Sequence, residues 1–181
     1  MNWYVADKEY INYLKKYDSR VGHVEYGEHS KLHLGIVLEL ENAKYYVPIS
    51  SYKSKHAKMS NSLDFHKVKD EETEFVYAVL NLNNMIPIPD EYVTQLKYNE
   101  VGNFRSFENE REKTNYIYLL QKEKKIIDNL ESVLTEKARK LYHKCQGNPD
   151  GKLSQRCCNF TLLEEKSKEY KKNEEQKNDR Q

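Results

Sequence analysis

No stretch of this chain is apolar enough to span a bilayer as a helix. The longest uncharged run, Phe75 to Pro89, covers 15 residues and is interrupted by asparagines and two prolines, short of the ~20 apolar residues a spanning helix needs. The first residues, MNWYVADKEY, lack a basic segment followed by an apolar one, so no secretory signal is expected and the protein is read as cytoplasmic. Cysteine is scarce. Cys145, Cys157 and Cys158 are odd in number and two are adjacent, which argues against a disulfide framework. No CxxC or paired Cys/His spacing points to zinc, and a buried structural thiol is a simpler reading than a nucleophile. Only six glycines are present, with neither GxxxxGK[ST] nor GxGxxG, so a phosphate cradle of backbone amides is not expected. The GxSxG elbow of a serine hydrolase is also missing.

Net charge is nearly absent too. Thirty Lys+Arg face 29 Asp+Glu for a formal +1, which disfavours a uniformly basic nucleic-acid-binding domain. The distribution is less even. Residues 31–69 carry +4 and residues 70–99 carry −5, so a lysine-rich stretch with Lys31, Lys53, Lys55, Lys58 and Lys67 has the composition of an anion-binding surface. Charged residues make up 33% of the chain, and 15 of its aromatic residues are tyrosine. That composition implies a modest core and half-buried aromatic surfaces.

The patterning predicts an α+β fold. Asp7 can cap a helix to about Asp18, with Tyr10, Tyr13, Leu14 and Tyr17 on one face, by default a packing face. Ser19 to Ser30 reads as a loop. Leu32 to Leu40 alternates as a strand, and a turn at Glu41-Asn42-Ala43 leads into a second strand, Lys44 to Ile49. Pro48 removes a ladder donor, which predicts a sheet edge or mouth there. Further β-type runs at Leu63–Val68, Phe75–Leu80 and Met85–Ile88 bring the number to five, as in a small antiparallel barrel. From about Phe107 to Cys145 the period becomes helical, as one long helix or two broken at Asp128-Asn129. Gly147 to Gly151 is a break, Phe160 starts a last short helix, and residues 171–181 are expected to be a disordered tail after a single domain spanning 1–170.

Chemistry concentrates in YVPISSYKSKH. Ser50, Ser51, Lys53, Lys55 and His56 follow directly on a strand, and lysine ammonium groups with serine hydroxyls can hold a phosphodiester. RNA cleavage needs no protein nucleophile, because the ribose 2′-hydroxyl can attack the adjacent phosphorus if the enzyme aligns it, stabilises the charge and protonates the leaving oxygen. No carboxylate cluster for a two-metal nuclease lies nearby. The same residues also suit an ordinary polar loop.

The blocks Tyr4, Tyr10, Ile11 and Leu14, then KLHLGIVLEL, YVPISSYKSKH, LNLNNMIPIP and CNFTLLEEK, resemble in that order the ToxN/AbiQ toxins of type III toxin–antitoxin systems. The resemblance spans nearly the whole chain, least at 19–30, 98–115 and the tail. It implies a compact twisted antiparallel β-barrel core of the Kid/MazF, SH3-like kind decorated by helices. It also implies a metal-independent endoribonuclease without cofactor that processes and is inhibited by a repetitive pseudoknot RNA antitoxin, usually in a ring-like protein–RNA assembly. The implied substrates are cellular or phage RNA and the implied role is phage defence. The implied catalytic residues are Tyr10, Lys31, Ser50, Ser51 and Lys53, with Tyr52, Lys55, His56 and Lys58 as RNA-binding candidates. Where relatives often carry Pro this chain has Tyr52, so a less rigid loop is expected. His56 is a further proton-donor candidate. Two other readings stay open: a non-catalytic RNA-binding module, and an interaction protein that binds another chain through its long helix.

Overall fold

The computed structural model describes residues 1–22, 25–26 and 29–178. Asn2–Ala6 (β1) leads into Lys8–Tyr17 (α1), whose N-cap Asp7 accepts from the Tyr10 amide. The expected loop 19–30 contains two short paired segments, Glu25–Tyr26 (β2) and His29–Ser30 (β3). Its residues 23–24 and 27–28 lie outside the described residues. Leu32–Leu40 (β4) and Ala43–Ser51 (β5) form the central hairpin. Phe65–Lys69 (β6), Val76–Asn81 (β7), Ile86–Pro87 (β8) and Val93–Gln95 (β9) complete a seven-stranded antiparallel sheet in the order β6-β7-β5-β4-β1-β9, with β8 on β5. The pairing path is open, with β6 and β9 at its ends.

Pro48 sits not at an edge but inside the sheet. Strand β5 pairs with β8 at Tyr45 and Tyr46 and with β7 from Ile49 onward. Pro48 falls at the change of partner, where no ladder donor is required. The exchange frees the end of β5 from β8 and turns it toward a different neighbour.

Glu110–Gly147 (α2) is one uninterrupted 38-residue helix, capped by the Asn109 side chain on the Glu112 amide. Asp128 and Asn129 do not break it, because both lie on its exposed side. Leu120, Ile127, Leu134, Ala138 and Leu141 form its buried stripe. The Trp3 ring N–H donates to the Leu120 carbonyl at 3.3 Å, which fixes the helix against β1. Lys152–Arg156 (α3) follows the turn, and Phe160–Asn178 (α4) is longer than expected, so the helix enters the segment assigned to a tail. Residues 179–181 lie outside the described residues. No described helix is long and apolar enough to cross a membrane.

Helices α1 and α4 meet through tyrosines. Tyr10 stacks on Tyr92 at 5.0 Å, and Tyr170 packs edge-on to both. Tyr45 and Tyr142 both donate to Glu164 Oε1, at 2.6 and 2.9 Å, which joins β5, α2 and α4. The tyrosine excess is thus spent largely on seams between elements. Gly35 shows how closely the hairpin is packed: an added Cβ would stand 2.2 Å from the ring of the buried Tyr46. Gly35→Ala is therefore expected to cost about 1–3 kcal/mol of stability through overpacking, measured as a lower urea midpoint at unchanged m-value.

Candidate active site

The end of β5 and the residue before β4 lie side by side because the two strands are hairpin partners. Lys31 Nζ donates to Ser50 Oγ at 2.8 Å. Ser50 and Ser51 are then held in register by β7, opposite Val79 and Ala78. These residues open onto a groove of about 360 Å³ lined by Lys31, Ser50, Ser51 and Lys53 on the sheet side and by Arg105, Tyr116, Leu119, Leu120 and Glu123 on the helix side. That volume is within the range of small-molecule sites, ~300–1,000 Å³.

Each charged group has an identifiable setting. Burial, with the nearby Lys53 charge, pulls the Lys31 ammonium down to about 8, so Lys31 exchanges a proton near neutrality. Arg105 is held between rings, its guanidinium carbon 4.4 Å from the Tyr116 centroid and 5.5 Å from Phe107. Its Nε is buried without a hydrogen-bond partner. Glu123 is 5% exposed and forms no ion pair among the described residues. Burial pushes its carboxyl up to about 7.

Of the residues expected at the site, Lys31, Ser50, Ser51 and Lys53 meet here. Tyr10 does not. Its ring is fully buried, and its hydroxyl donates to the Pro87 carbonyl at 2.6 Å and shares a 2.9 Å bond with Ser167. That is the packing role the helical spacing of the tyrosines gives by default. Lys55 and Lys58 are exposed on the loop beyond the groove lining. His56 is buried rather than presented: its Nδ1 accepts from the Lys53 amide at 3.0 Å while its own amide donates to the Lys53 carbonyl at 2.8 Å. Burial, with Lys55, Lys53 and Lys67 nearby, lowers its basicity, so it serves the loop's shape better than proton donation. Tyr52 is half-buried, with its ring 5.9 Å from that of His56 and Lys67 Nζ 6.0 Å from its centroid. The loop is therefore braced without a proline.

Arg105, Tyr116 and Glu123 were not anticipated. Glu123 left a legible signal, because it occupies a buried position between Leu120 and Ile127 on the apolar stripe of α2. Arg105 left none, since it lies in an aperiodic connection. The cysteines stay structural: Cys157 and Cys158 are free and buried, and burial raises the Cys158 thiol to about 12.

Two lysines, an arginine and paired hydroxyls line one groove on an α+β scaffold, a set of groups able to hold a phosphodiester. A family model described as toxin ToxN of type III toxin–antitoxin systems matches residues 2–168, and the chain belongs to that family. It is 30% identical to an endoribonuclease ToxN of Bacillus thuringiensis subsp. kurstaki, over 97% of this chain and 87% of the relative. It is 31% identical to an endoribonuclease ToxN of Pectobacterium atrosepticum, over 97% and 96%. A solved structure concerning selective toxin inhibition by a non-coding RNA pseudoknot superposes with a TM-score of 0.77 at 28% identity, over 94% of this chain and 97% of that one.

Glu123 makes a stability prediction. Its raised value means that the native state keeps a proton that the unfolded chain gives up near 4.5. The stability from that proton is complete below about pH 4.5 and is lost as pH rises through about 7. Glu123→Gln, neutral throughout, should unfold at a higher Tm than the native protein at pH 8. The difference should close as the pH approaches 4.5.

Proposed function

We propose that the groove binds a single RNA strand and cleaves it without a metal ion, by attack of a ribose 2′-hydroxyl on the adjacent phosphorus, leaving a 2′,3′-cyclic phosphate and a 5′-hydroxyl. The enzyme class is endoribonuclease, the class of its ToxN relatives. The observation that carries the reading is the convergence of Lys31, Ser50, Ser51 and Lys53 on one groove, with Lys31 bonded to Ser50.

The roles follow from chemistry. Ser51 donates to a non-bridging oxygen, and Lys53 and Arg105 compensate the charge that grows on the phosphorane. Ser50, fixed by Lys31, orients the phosphate. Lys31, with its ammonium drawn down to about 8, protonates the departing 5′ oxygen. The lining supplies three cations and a single carboxyl, Glu123. Paired metal ions are held by clustered carboxylates, which this donor set does not offer.

Regulation follows the same chemistry. A folded RNA that fills the groove and binds more tightly than a linear strand would act as substrate and inhibitor in turn. The superposable toxin structure concerns inhibition by a non-coding RNA pseudoknot. We assign this chain the same kind of partner, a repeat-derived RNA antitoxin that it processes from its precursor and that joins it in a ring-like assembly. Its place of action is then the cytoplasm, against cellular or phage RNA.

Purified protein incubated with end-labelled RNA in EDTA should yield fragments with 2′,3′-cyclic phosphate ends. Ser51→Ala should reduce the rate at least ~100-fold while leaving the circular dichroism spectrum unchanged. RNA bound but left intact by the native protein would overturn the catalytic reading in favour of a binding module. A second prediction concerns pH. Because Lys31 acts as the protonated acid, kcat/KM should fall as pH rises through about 8, and Lys31→Arg should lose that limb while cleaving more slowly.

A further inference from the structure

We infer that Glu123 is the proton acceptor for the attacking ribose 2′-hydroxyl, reaching the RNA from the α2 side of the groove. The inference rests on the endoribonuclease reading above and adds the residue that activates the nucleophile.

Three observations converge. Glu123 lines the same groove as Lys31, Ser51 and Lys53 but stands on the opposite wall, contributed by a helix rather than by the sheet. It is buried on the apolar stripe, between Leu120 and Ile127, where an apolar residue would serve packing better. It also has no ion-pair partner among the described residues, although burying an unpaired carboxyl is costly. A buried, unpaired carboxyl lining a cleft is the kind of group that marks a functional site. Its chemistry selects the part of the ligand. A carboxylate repels phosphate, and the phosphate-binding groups lie on the other wall and at Arg105, so the carboxyl is matched to the sugar hydroxyl.

The helix also holds Glu123 in place. Leu120, one turn before it, accepts from the Trp3 indole, and Tyr116, two turns before it, is covered by the Arg105 guanidinium. In the reaction the Glu123 carboxylate takes the 2′-hydroxyl proton as the O2′–P bond forms. The P–O5′ bond breaks, and the 5′ oxygen leaves with a proton from Lys31. One proton enters the protein and one leaves it, and no oxidant or further reactant is needed.

The test uses a short RNA spanning a site that the native protein is first shown to cut, prepared in three forms. One has the natural linkage. The second has a sulfur in place of the bridging 5′ oxygen, a leaving group that needs no protonation. The third has a 2′-deoxyribose at the scissile position and measures binding alone. Glu123→Gln should bind the deoxy form within about threefold of the native protein and cleave both cleavable forms 10²–10⁴-fold more slowly, the usual worth of a general base. Equal cleavage by the variant would overturn the inference. So would a defect confined to the natural linkage, which would make Glu123 the acid, and so would a loss of binding as large as the loss of rate. Failure of the native protein to cut any RNA would instead overturn the reading beneath it.

Discussion

Everything at the groove depends on how one long helix lies across an open sheet. Helix α2 has 38 residues, about 57 Å at 1.5 Å per residue, and its apolar stripe covers a sheet face that would otherwise be exposed. Most of that length is scaffold. The N-terminal part, from Tyr116 to Glu123, does more than cover, because it supplies one wall of the cavity whose other wall is the β4–β5 hairpin. Burial of Leu120 and Ile127 thus fixes not only stability but the distance between the cationic wall and the carboxyl. A shift of the helix by one turn would keep much of the apolar contact and destroy the site.

The charge distribution acquires meaning from the same geometry. The acids of the −5 segment answer part of the +4 segment: Asp90 pairs with Lys44 at 2.6 Å and Glu74 with Lys69 at 2.6 Å. These exposed pairs contribute little stability. Their effect is to offset positive charge at Lys44 on β5 and Lys69 on β6, while Lys31 and Lys53 line the groove. A nearly neutral chain can therefore carry a locally cationic site, and whole-chain charge is a poor guide to an anionic ligand.

The hairpin, the first helix, the long helix and the Ser50-Ser51-Lys53 cluster were legible because each is specified within a short window, by alternation, by capping or by residue type. What escaped the sequence was relational. Strand β1 is five residues long and β9 three, and neither has a partner nearby in the chain; β1 becomes a strand by pairing with β4 on one side and β9 on the other. Pro48 read locally as the mark of an edge or mouth; it sits inside the sheet, where β5 exchanges β8 for β7 just before the strand end that opens onto the groove. Tyr10 marks the boundary between two kinds of inference. Family resemblance assigned it to the site, whereas its helical spacing placed it on a packing face, and the buried hydroxyl sides with the spacing.

The loop carrying Lys53 shows how a site tolerates sequence change. Tyr52 occupies a position where proline would restrict the backbone, and without that restriction Lys53 would sweep a wider volume. Two other constraints take its place. The reciprocal bonds between His56 and the Lys53 backbone close a tight turn immediately after the lysine, and the His56 ring is itself packed on Phe65 at 5.9 Å. The Tyr52 amide, which proline would lack, faces the Tyr77 carbonyl at 3.5 Å. The restraint on Lys53 thus comes from a buried side chain three residues on, itself packed against β6, rather than from a ring on the preceding residue. A histidine that read as a proton donor is, in this arrangement, a brace on the backbone of Lys53.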